Sequence, residues 1–390
     1  MTYQSVMILL DFFTGRNLVE IVSEGRKHPD AKHGIPTQIR ARQGLIDYLD
    51  QEDIGPADLR MEWPTIILIA GKADGKRRLN FDQTEQTRAL EAIGEEINSR
   101  LLSHWVDIEI ADVELAALNA KELDLPSVMY THRTLYRVFN NSSFESGGRF
   151  YGGWWQQVPS EFRRYITIDG EPTIEMDYSA HHPHLFYAEK GIEFEGDPYD
   201  IGLEDKFRPL VKLAFQKLIN GKRHPMQPKP GGDDPLYLEE EVGLTWKAFI
   251  QQIKDIHKPI ADLFGTGIGL RFQREDSFIA QSVMLHNNPN KIPVLPIHDS
   301  FIVQEKYKQA LEDSMNEAML RSYGTTIPIK VTQRKPSDLS LRLSQHWQQF
   351  SSYDPSQDNP PEPELTNHFV PGYEGYQRRV GQMIERTYQI

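Results

Sequence analysis

Two β-prone runs that each end at an aspartate constrain the fold of this chain more than any other feature. The first run covers residues 174–177 and ends at Asp177, with small and polar residues after it. The second covers 292–297, leads into Asp299, and resumes as Phe-Ile-Val. Two acids on strands far apart in sequence predict strands that lie side by side and share one site. Half-buried carboxylates must be paired or bound to a metal, so we expect a polar or metal site there.

The composition predicts a soluble globular protein of two or three domains. The 390 residues give ample length for a sizeable core, and 39% hydrophobic with 10% aromatic residues is typical of a folded chain. The chain has no cysteine, which excludes disulfides, thiol catalysis and cysteine-ligated zinc fingers. The apolar run Val6–Leu10 is followed by Asp11 and is too short to cross a bilayer. We therefore expect no membrane association and a cytoplasmic location.

The net charge of −13 argues against a general nucleic-acid coat protein, but the charge is unevenly distributed. Residues 206–229 contain lysines and arginines and no acid. A helix is predicted over 207–219, ended by Gly221. Residues four apart on it would form one polar stripe: Arg208, Lys212, Gln216 and Asn220. Taken alone, such a basic stretch is more typical of an ordinary solvated helix face than of a phosphate-binding face.

The patterns along the chain predict three regions. Residues 1–127 read as an α/β accessory domain, 128–340 as the core that carries the chemistry, and 341–390 as a proline-rich linker and C-terminal tail. The accessory region has helical patterns at 38–50 and 82–105 and strand-like runs at 66–70 and 106–110.

The start of the core combines basic, aromatic and glycine residues. The spacing of basic and aromatic residues at 132–137 indicates a helix, and the glycine-rich stretch 146–155 then brings Arg149, Tyr151 and two tryptophans. Glycines allow a close approach of the backbone, while a cation and flat rings suit phosphate contact and base stacking. A structural turn with core aromatics is an equally good interpretation of this stretch.

Over residues 145–333, the order of these features resembles the palm and fingers of the DNA polymerase I (family A) group and of the related single-subunit phage-type RNA polymerases. The matching elements, in chain order, are Gly148-Arg149-Phe150-Tyr151, the first palm motif Asp177-Tyr178-Ser179, the fingers-helix residues Arg208, Lys212 and Asn220-Gly221, the helix that begins at Gln273, and the second palm motif His298-Asp299-Ser300-Phe301. Each motif is weak alone, whereas the ordered set is specific.

The resemblance implies an α+β fold. It comprises a right-hand-like polymerase palm, which is an antiparallel sheet with packed helices, a small helical fingers element, and the N-terminal α/β accessory domain as a thumb or template-binding part. The implied function is template-directed nucleotidyl transfer to a 3′-hydroxyl on a DNA template by a two-metal mechanism, with priming activity as a variant. The partners would be template–primer nucleic acid and nucleoside triphosphates. A compact polymerase without a proofreading signature suits the DNA replication of a mobile element.

The resemblance also implies the roles of individual residues. Asp177 and Asp299 would be catalytic and would hold Mg²⁺, or alternatively Mn²⁺, with the carbonyl of Tyr178 as a further oxygen ligand. The nucleotide would be bound by Arg208, Lys212, Asn220, Tyr178 and His182, and the template or primer by Arg149, Tyr151, Gln273 and His298. Cations on the triphosphate are needed because negative charge develops there during transfer.

Departures from the family patterns leave the sugar of the nucleotide open. Asn220 stands where the family has an aromatic residue, so stacking on the nascent pair has to come from elsewhere. His182 stands where family A DNA polymerases place a glutamate that excludes ribose and phage-type RNA polymerases place a small residue. Ser300 matches the phage-type version of the second palm motif. The sequence therefore does not decide between dNTP and NTP.

Two other functions stay open from the residues alone. The histidines His181, His182, His184 and His298 lie near the two aspartates in sequence. Imidazole ligands suit zinc, iron or copper better than magnesium, which would indicate a metal-dependent phosphoester hydrolase. The other alternative is a non-catalytic nucleic-acid-binding replication protein built on a degenerate palm.

Overall fold

The computed structural model of the protein describes the following residues: 3–23, 37–54, 64–110, 132–221, 225–228, 235–285 and 291–332. The chain forms two compact units. The first consists of Met1–Met61, Glu109–His132 and Pro336–Ile390, and the second of Glu62–Ile108 and Arg133–Lys335. The predicted linker and tail, 341–390, lies outside the described residues.

The first unit contains two helices and a two-stranded antiparallel sheet in its described part. In chain order these are α1 (Tyr3–Gly15), β1 (Val19–Ser23), β2 (Gln38–Ala41) and α2 (Gln43–Gln51). The predicted helix over 38–50 is therefore a strand followed by a helix. The break falls at Arg42, whose backbone is extended with φ −91° and ψ 163° and so cannot continue a helix in either direction.

The second unit contains the remaining described strands and α-helices. In chain order they are β3 (Ile66–Ile69), β4 (Arg78–Leu79), α3 (Glu85–Leu102), β5 (Val106–Ile108), β6 (Tyr136–Phe139), β7 (Gly147–Tyr151), α4 (Ser160–Arg163), β8 (Ile166–Ile168), β9 (Glu171–Tyr178), α5 (His181–Glu189), α6 (Arg208–Asn220), α7 (Glu239–Val242), α8 (Trp246–Ile256), α9 (Gly269–Leu285), β10 (Leu295–Ile297), β11 (Ser300–Gln304), α10 (Lys308–Tyr323) and β12 (Ile329–Thr332). The fold class is α+β, with antiparallel pairing in most of its strands.

The main sheet of the second unit has β9 at its centre. Its order is β10-β11-β9-β8-β5, with β12 also paired to β9, and every pairing is antiparallel. Because side chains alternate along a strand, Met176 and Tyr178 point into the core, where they are 0% and 1% exposed. The Tyr178 hydroxyl donates to the Met315 carbonyl of α10 at 2.6 Å, so this helix covers that face. Glu175 and Asp177 lie on the opposite face.

A second sheet, ordered β4-β3-β6-β7, pairs β3 with β6 in parallel and its other neighbours antiparallel. The helix predicted at 132–137 is therefore wrong, because Tyr136–Phe139 is a strand of this sheet. The β3–β6 and β5–β8 pairings also bring Glu62–Ile108 into the second unit. The compact units thus divide the chain differently from the predicted boundary at residue 127.

The helix α9 packs closely on β7, and Gly148 permits the approach. A Cβ atom on Gly148 would lie 2.8 Å from Phe139 Cε1 and 3.1 Å from Ser277 Oγ of α9. The backbone of Gly148 also has φ +92°, which glycine adopts readily and other residues rarely. This glycine therefore combines a steric with a conformational requirement.

We expect Gly148→Ala to destabilise the protein more than Gly191→Ala does. Gly191 has φ +67°, and no atom of the described residues lies within 4 Å of its Cβ position, so its substitution costs only the left-handed backbone, about 1–2 kcal/mol. At Gly148 overpacking adds about 1–3 kcal/mol. Urea-unfolding midpoints of the two variants measure the difference. Equal midpoints would contradict a tight α9–β7 contact.

The helix α6 agrees with its prediction. In α6 the residues Arg208, Lys212, Gln216 and Asn220 are all exposed, while Leu210, Val211, Ala214, Phe215 and Leu218 are buried. This helix ends before Gly221, whose backbone is extended with φ −86°. After α8, a 3₁₀ segment covers Lys258–Leu263. Within the described residues, no helix has the length and apolar character needed to cross a membrane.

Candidate active site

The two aspartates singled out in the sequence lie at the same end of the main sheet. Asp177 is the penultimate residue of β9, and Asp299 lies in the turn that joins β10 to β11. In the register of β11 on β9, Ser300 stands opposite Asp177. The amide of Tyr178 donates to the carbonyl of Asp299 at 3.3 Å. The sheet therefore brings the two acids to the same end, as predicted, but only Asp177 lies on a strand, because Asp299 lies in the turn before β11.

The turn carrying Asp299 is tight. Ile297 pairs with Ser300, so His298 and Asp299 alone make the turn, and His298 takes the left-handed conformation with φ +60°. The side chain of Asp299 is 35% exposed. A short turn between two paired strands leaves Asp299 little freedom to move away from Asp177.

The ionisation of Asp177 is strongly perturbed. Burial, reinforced by the negative charges of Asp299 and Glu175, raises the pKa of Asp177 to about 7. The cations of His181 and Lys212 act in the opposite direction. Half-buried acids this close to one another favour either a proton or a bound cation, and a perturbed pKa of this kind is common at functional sites.

Glu175 lies on the same face of β9 but is held by other side chains. The hydroxyl of Ser300 donates to Glu175 Oε1 at 2.6 Å, and Arg163 Nη1 donates to the same oxygen. The Glu175 and Arg163 side chains are 13% and 17% exposed. Glu175 therefore serves the β9–β11 contact and adds negative charge beside Asp177.

A buried ion-pair network lies next to the two acids and centres on Asp276 of α9. Arg149 of β7 reaches Asp276 Oδ2 at 2.6 Å with Nη2 and 2.8 Å with Nε. Nδ1 of His181, the first residue of α5, lies 2.9 Å from Asp276 Oδ1 and 3.9 Å from Asp299 Oδ2. The side chains of Asp276 and His181 are each 1% exposed. This network thus joins three elements to the candidate site.

The charges within this network shift the pKa of both partners. Burial alone would lower the pKa of His181, but the carboxylates of Asp276 and Asp299 outweigh it and raise the pKa. Burial alone would raise the pKa of Asp276, but the charges of His181 and Arg149 lower it well below its usual range. Both shifts favour the imidazolium form of His181 and the carboxylate form of Asp276, with Asp299 close to the imidazole.

The two other histidines near the acids are uncharged. Burial lowers the pKa of His182 to about 4, and the cations of His181 and Arg149 contribute. Arg149 Nη2 lies 3.2 Å from His182 Nε2, which as the neutral ring nitrogen accepts from the guanidinium. Burial and Arg149 also lower the pKa of His298. Tyr151 packs edge-on against the His298 ring, with centroids 5.6 Å apart.

The predicted triphosphate ligands lie at the beginning of α6. Lys212 is exposed and acts on the ionisation of Asp177. Arg208 donates from Nη2 to Asp197 Oδ1 at 3.1 Å and from Nε to Asp197 Oδ2. Its guanidinium carbon lies 5.1 Å from the ring centroid of Tyr199. Arg208 is therefore bound within the protein by an acid that the sequence prediction did not include.

The remaining predicted residues occupy different surroundings. The side chain of Tyr178 is buried in the core, so only its backbone faces the site. Asn220 packs on Gly269, where an added Cβ would lie 1.9 Å from Asn220 Oδ1. Gln273 is half-buried on α9, one turn before Asp276. Arg149 is committed to Asp276 and His182. Contacts of Arg149, Tyr151, Gln273 and His298 with nucleic acid stay predictions.

Several residues at this end of the sheet were missed in the sequence. Glu175 could have been found, because it lies two positions before Asp177 and so on the same face. Lys330 stands opposite Asp177 on β12, which only the strand order reveals. Asp276 and Asp197 pair with cations elsewhere in the chain, and no local pattern indicates those pairs.

The donor set of the site consists of carboxylates. Asp177 and Asp299 offer hard oxygen ligands, whereas His181 is paired with Asp276 and Glu175 is engaged by Ser300 and Arg163. Among the residues that the structure describes, no group of three or more histidines and acids is arranged to hold a metal ion. Magnesium is commonly held by one or two carboxylates together with substrate phosphates and waters, so two carboxylates fit this ion.

Comparison with solved structures finds structural neighbours of this chain. The chain is similar to the POL domain of Pol1 from M. smegmatis, solved as a complex with DNA primer-template and dNTP, with a TM-score of 0.36 and 13% sequence identity. The match covers 54% of this chain and 49% of that chain, so it spans about half of either. No protein-family model and no curated protein match the chain. The residues of the site itself therefore carry the functional conclusion.

Proposed function

We propose that this protein is a template-directed nucleotidyltransferase that adds nucleotides to a 3′-hydroxyl, and that its main sheet serves as a polymerase palm. The observation that carries the proposal is the convergence of Asp177 and Asp299 at one end of that sheet. Burial, reinforced by the negative charges of Asp299 and Glu175, raises the pKa of Asp177 to about 7. A carboxylate pair of this kind is stabilised by divalent cations.

Asp177 and Asp299 would hold Mg²⁺ or Mn²⁺, and the carbonyl of Tyr178 is a further oxygen donor in reach of the same end of β9. When bound, such ions supply charge stabilisation to the attacking and leaving oxygens of phosphoryl transfer. The protein's own part is to fix the two carboxylates through the β9–β11 pairing. His181 supports this arrangement, because its buried imidazolium lies 3.9 Å from Asp299 and opposes any displacement of that charge.

The exposed stripe of α6 would receive the triphosphate. Lys212 already acts electrostatically on Asp177, so a phosphate between them would be paired with cations on one side and with ions held by the acids on the other. Arg208 lies one helical turn earlier on the same face and offers the geometry that suits phosphate oxygens. Template and primer would lie across the remaining open end of the sheet, near Tyr151 and His298.

An extension assay with the full chain tests the proposal. End-labelled primer–template and unprimed template are incubated with dNTPs or NTPs and with Mg²⁺, Mn²⁺ or EDTA. We expect ion-dependent extension whose added bases follow the template when its sequence is changed. The arms with dNTPs and NTPs also measure the sugar preference that the sequence leaves open. Phosphoester hydrolysis without extension would contradict the proposal in favour of a hydrolase. Tight nucleic-acid binding without chemistry would contradict it in favour of a non-catalytic protein.

A further inference from the structure

The contact between Arg208 and Asp197 uses only part of the guanidinium. Asp197 accepts from Nε and from one Nη2 hydrogen, which form one side of the group. An arginine has five N–H donors, and within the described part of the chain Nη1 of Arg208 has no hydrogen-bond partner. The Arg208 side chain is 47% exposed. The terminal edge, Nη1 with the second Nη2 hydrogen, is therefore open.

Asp197 is itself fixed by the segment that carries it. The amide of Tyr199 donates to Asp197 Oδ1 at 3.0 Å. Between them, the carbonyl of Pro198 lies 2.8 Å from Nε2 of the buried His257, whose Nδ1 lies 2.9 Å from the Tyr187 hydroxyl. Tyr199 is 7% exposed. The acid is thus anchored through its backbone neighbours to the core.

Tyr199 also holds Arg208 in place. Its ring lies beside the guanidinium, with the Arg208 carbon 5.1 Å from the ring centroid, a distance at which cation–π attraction holds the two groups together. Burial raises the pKa of Tyr199, and the charges of Asp299, Asp197 and Asp177 act on the same phenol. Tyr199 therefore lies close enough to Asp177 and Asp299 to feel their charges.

We propose that Asp197 and Tyr199 are positioning residues that hold Arg208 with its terminal edge directed at the phosphates of an incoming nucleoside triphosphate. The inference rests on the proposed function and adds residues that the polymerase resemblance does not supply. A carboxylate on one side of the fork and a ring beside it fix the plane of the guanidinium. The orientation is then set before the nucleotide arrives, and less freedom is lost on binding. The alternative is that Asp197 competes with the triphosphate for Arg208, and it predicts the opposite change in affinity.

Steady-state extension kinetics with varied nucleotide concentration separate these possibilities. We expect Asp197→Ala to raise the KM for the nucleotide about 3- to 10-fold, as for the loss of one pre-ordered side chain, with kcat within about twofold of the wild type. Asp197→Asn keeps one acceptor oxygen, so its KM should lie between those of the wild type and Asp197→Ala. An ion pair this exposed contributes little to stability, so both variants should fold. A lower KM in Asp197→Ala, or no change, would overturn the proposal.

A matched control and a second background exclude a general structural effect. Asp200→Ala removes an exposed acid of the same loop that accepts from the Gly202 amide and does not contact Arg208, so its KM should equal that of the wild type. In an Arg208→Ala background, Asp197→Ala should produce no further rise in KM, because the group that it orients is absent. A further rise of the same size would show that Asp197 acts independently of Arg208.

Binding measurements distinguish failure of this inference from failure of the proposed function. Isothermal titration with dATP and with ATP, each in Mg²⁺ and without primer, gives the affinity directly. Weaker binding in Asp197→Ala together with no extension by any variant would support the positioning role and overturn the polymerase. Extension by the wild type with unchanged affinity in Asp197→Ala would support the polymerase and overturn the positioning role. Absence of triphosphate binding by the wild type would overturn the positioning role.

Discussion

Replacing Asp177 with asparagine should abolish extension and at the same time stabilise the metal-free protein. Asp177 carries half of the carboxylate pair on which the proposed chemistry depends, and loss of one charge partner of a transition state lowers kcat by about 10²–10³-fold or more. Without divalent cations, the same charge is unfavourable, because burial and the negative charge of Asp299 raise the pKa of Asp177 to about 7. Few substitutions outside a metal or catalytic site combine lost activity with gained stability.

The pH dependence of this effect follows from the direction of the shift. An acid whose pKa is higher in the folded state binds its proton more tightly there, so the free energy of unfolding falls as the pH rises from about 4 to about 7. Above this range the penalty at Asp177 approaches its full size, at most about 4 kcal/mol for a shift from 3.8 to about 7. Asp177→Asn should therefore be the more stable protein at pH 8 and nearly equal to the wild type below pH 4.

Thermal unfolding in EDTA and in Mg²⁺ across this pH range measures the stability difference between the two proteins and the effect of the ion on each. Mg²⁺ should raise the melting temperature of the wild type at pH 8, because an ion that binds only the folded state stabilises it, and should not raise that of Asp177→Asn. Glu171→Gln is the matched control, since Glu171 is exposed at the other end of β9. If Asp177→Asn melts below the wild type at pH 8, Asp177 is not the destabilised acid described above.

Replacing Asp276 with alanine should be the most destabilising change near the site. The carboxylate is buried and pairs with Arg149 at 2.6 Å and with His181 at 2.9 Å. Its removal leaves a guanidinium and an imidazolium without their shared counter-charge in a site 1% exposed at His181. Breaking a buried pair in this way costs about 3–5 kcal/mol, which urea unfolding at neutral pH should detect as a large fall in the midpoint.

Two companion variants show whether the loss comes from charge. Glu275→Ala removes the adjacent acid of α9, whose side chain is 36% exposed and 3.9 Å from Arg274, and should cost less than about 1 kcal/mol. Asp276→Leu with Arg149→Leu removes a buried pair as a unit and should recover part of the stability lost in Asp276→Ala. A loss in Asp276→Ala no larger than that in Glu275→Ala would contradict a buried ion-pair network.

The parts of the site that the sequence predicted are those with a local signal. Asp177 and Asp299 each adjoin an apolar β-prone run, and strand pairing then brings the two ends together. The stripe of α6 has helical periodicity, and its members from Arg208 to Asn220 are exposed as expected. The local signals behind these predictions, an apolar run beside each acid and the periodicity of one helix, each lie within about a dozen positions, a range over which hydrophobic periodicity is informative.

The parts that the sequence did not predict depend on long-range pairing. The sequence predicted a helix at Arg137, but this residue lies in β6, which pairs with β3. Its buried guanidinium donates to three neutral acceptors: Gly148 O, Ser277 Oγ and Gln281 Oε1. Burial lowers the pKa of Arg137 to about 9. An isolated arginine in a sequence usually indicates a surface position, so neither this environment nor the pairing of Asp276 with Arg149 could be inferred from neighbouring residues.

The pairing of β9 with β11 fixes the position of the two acids, whereas the length of the chain between these strands can change. The chain leaves the main sheet after Tyr178 and re-enters it beside the same point through β10 and β11. The described residues between 179 and 294 therefore lie outside the main sheet and supply Arg208 and Lys212, while backbone hydrogen bonds of the sheet set the spacing of the acids. Loops among these residues can lengthen or shorten at small entropic cost without altering that spacing. Divergence in substrate can thus proceed by insertion and deletion around an unaltered acid pair.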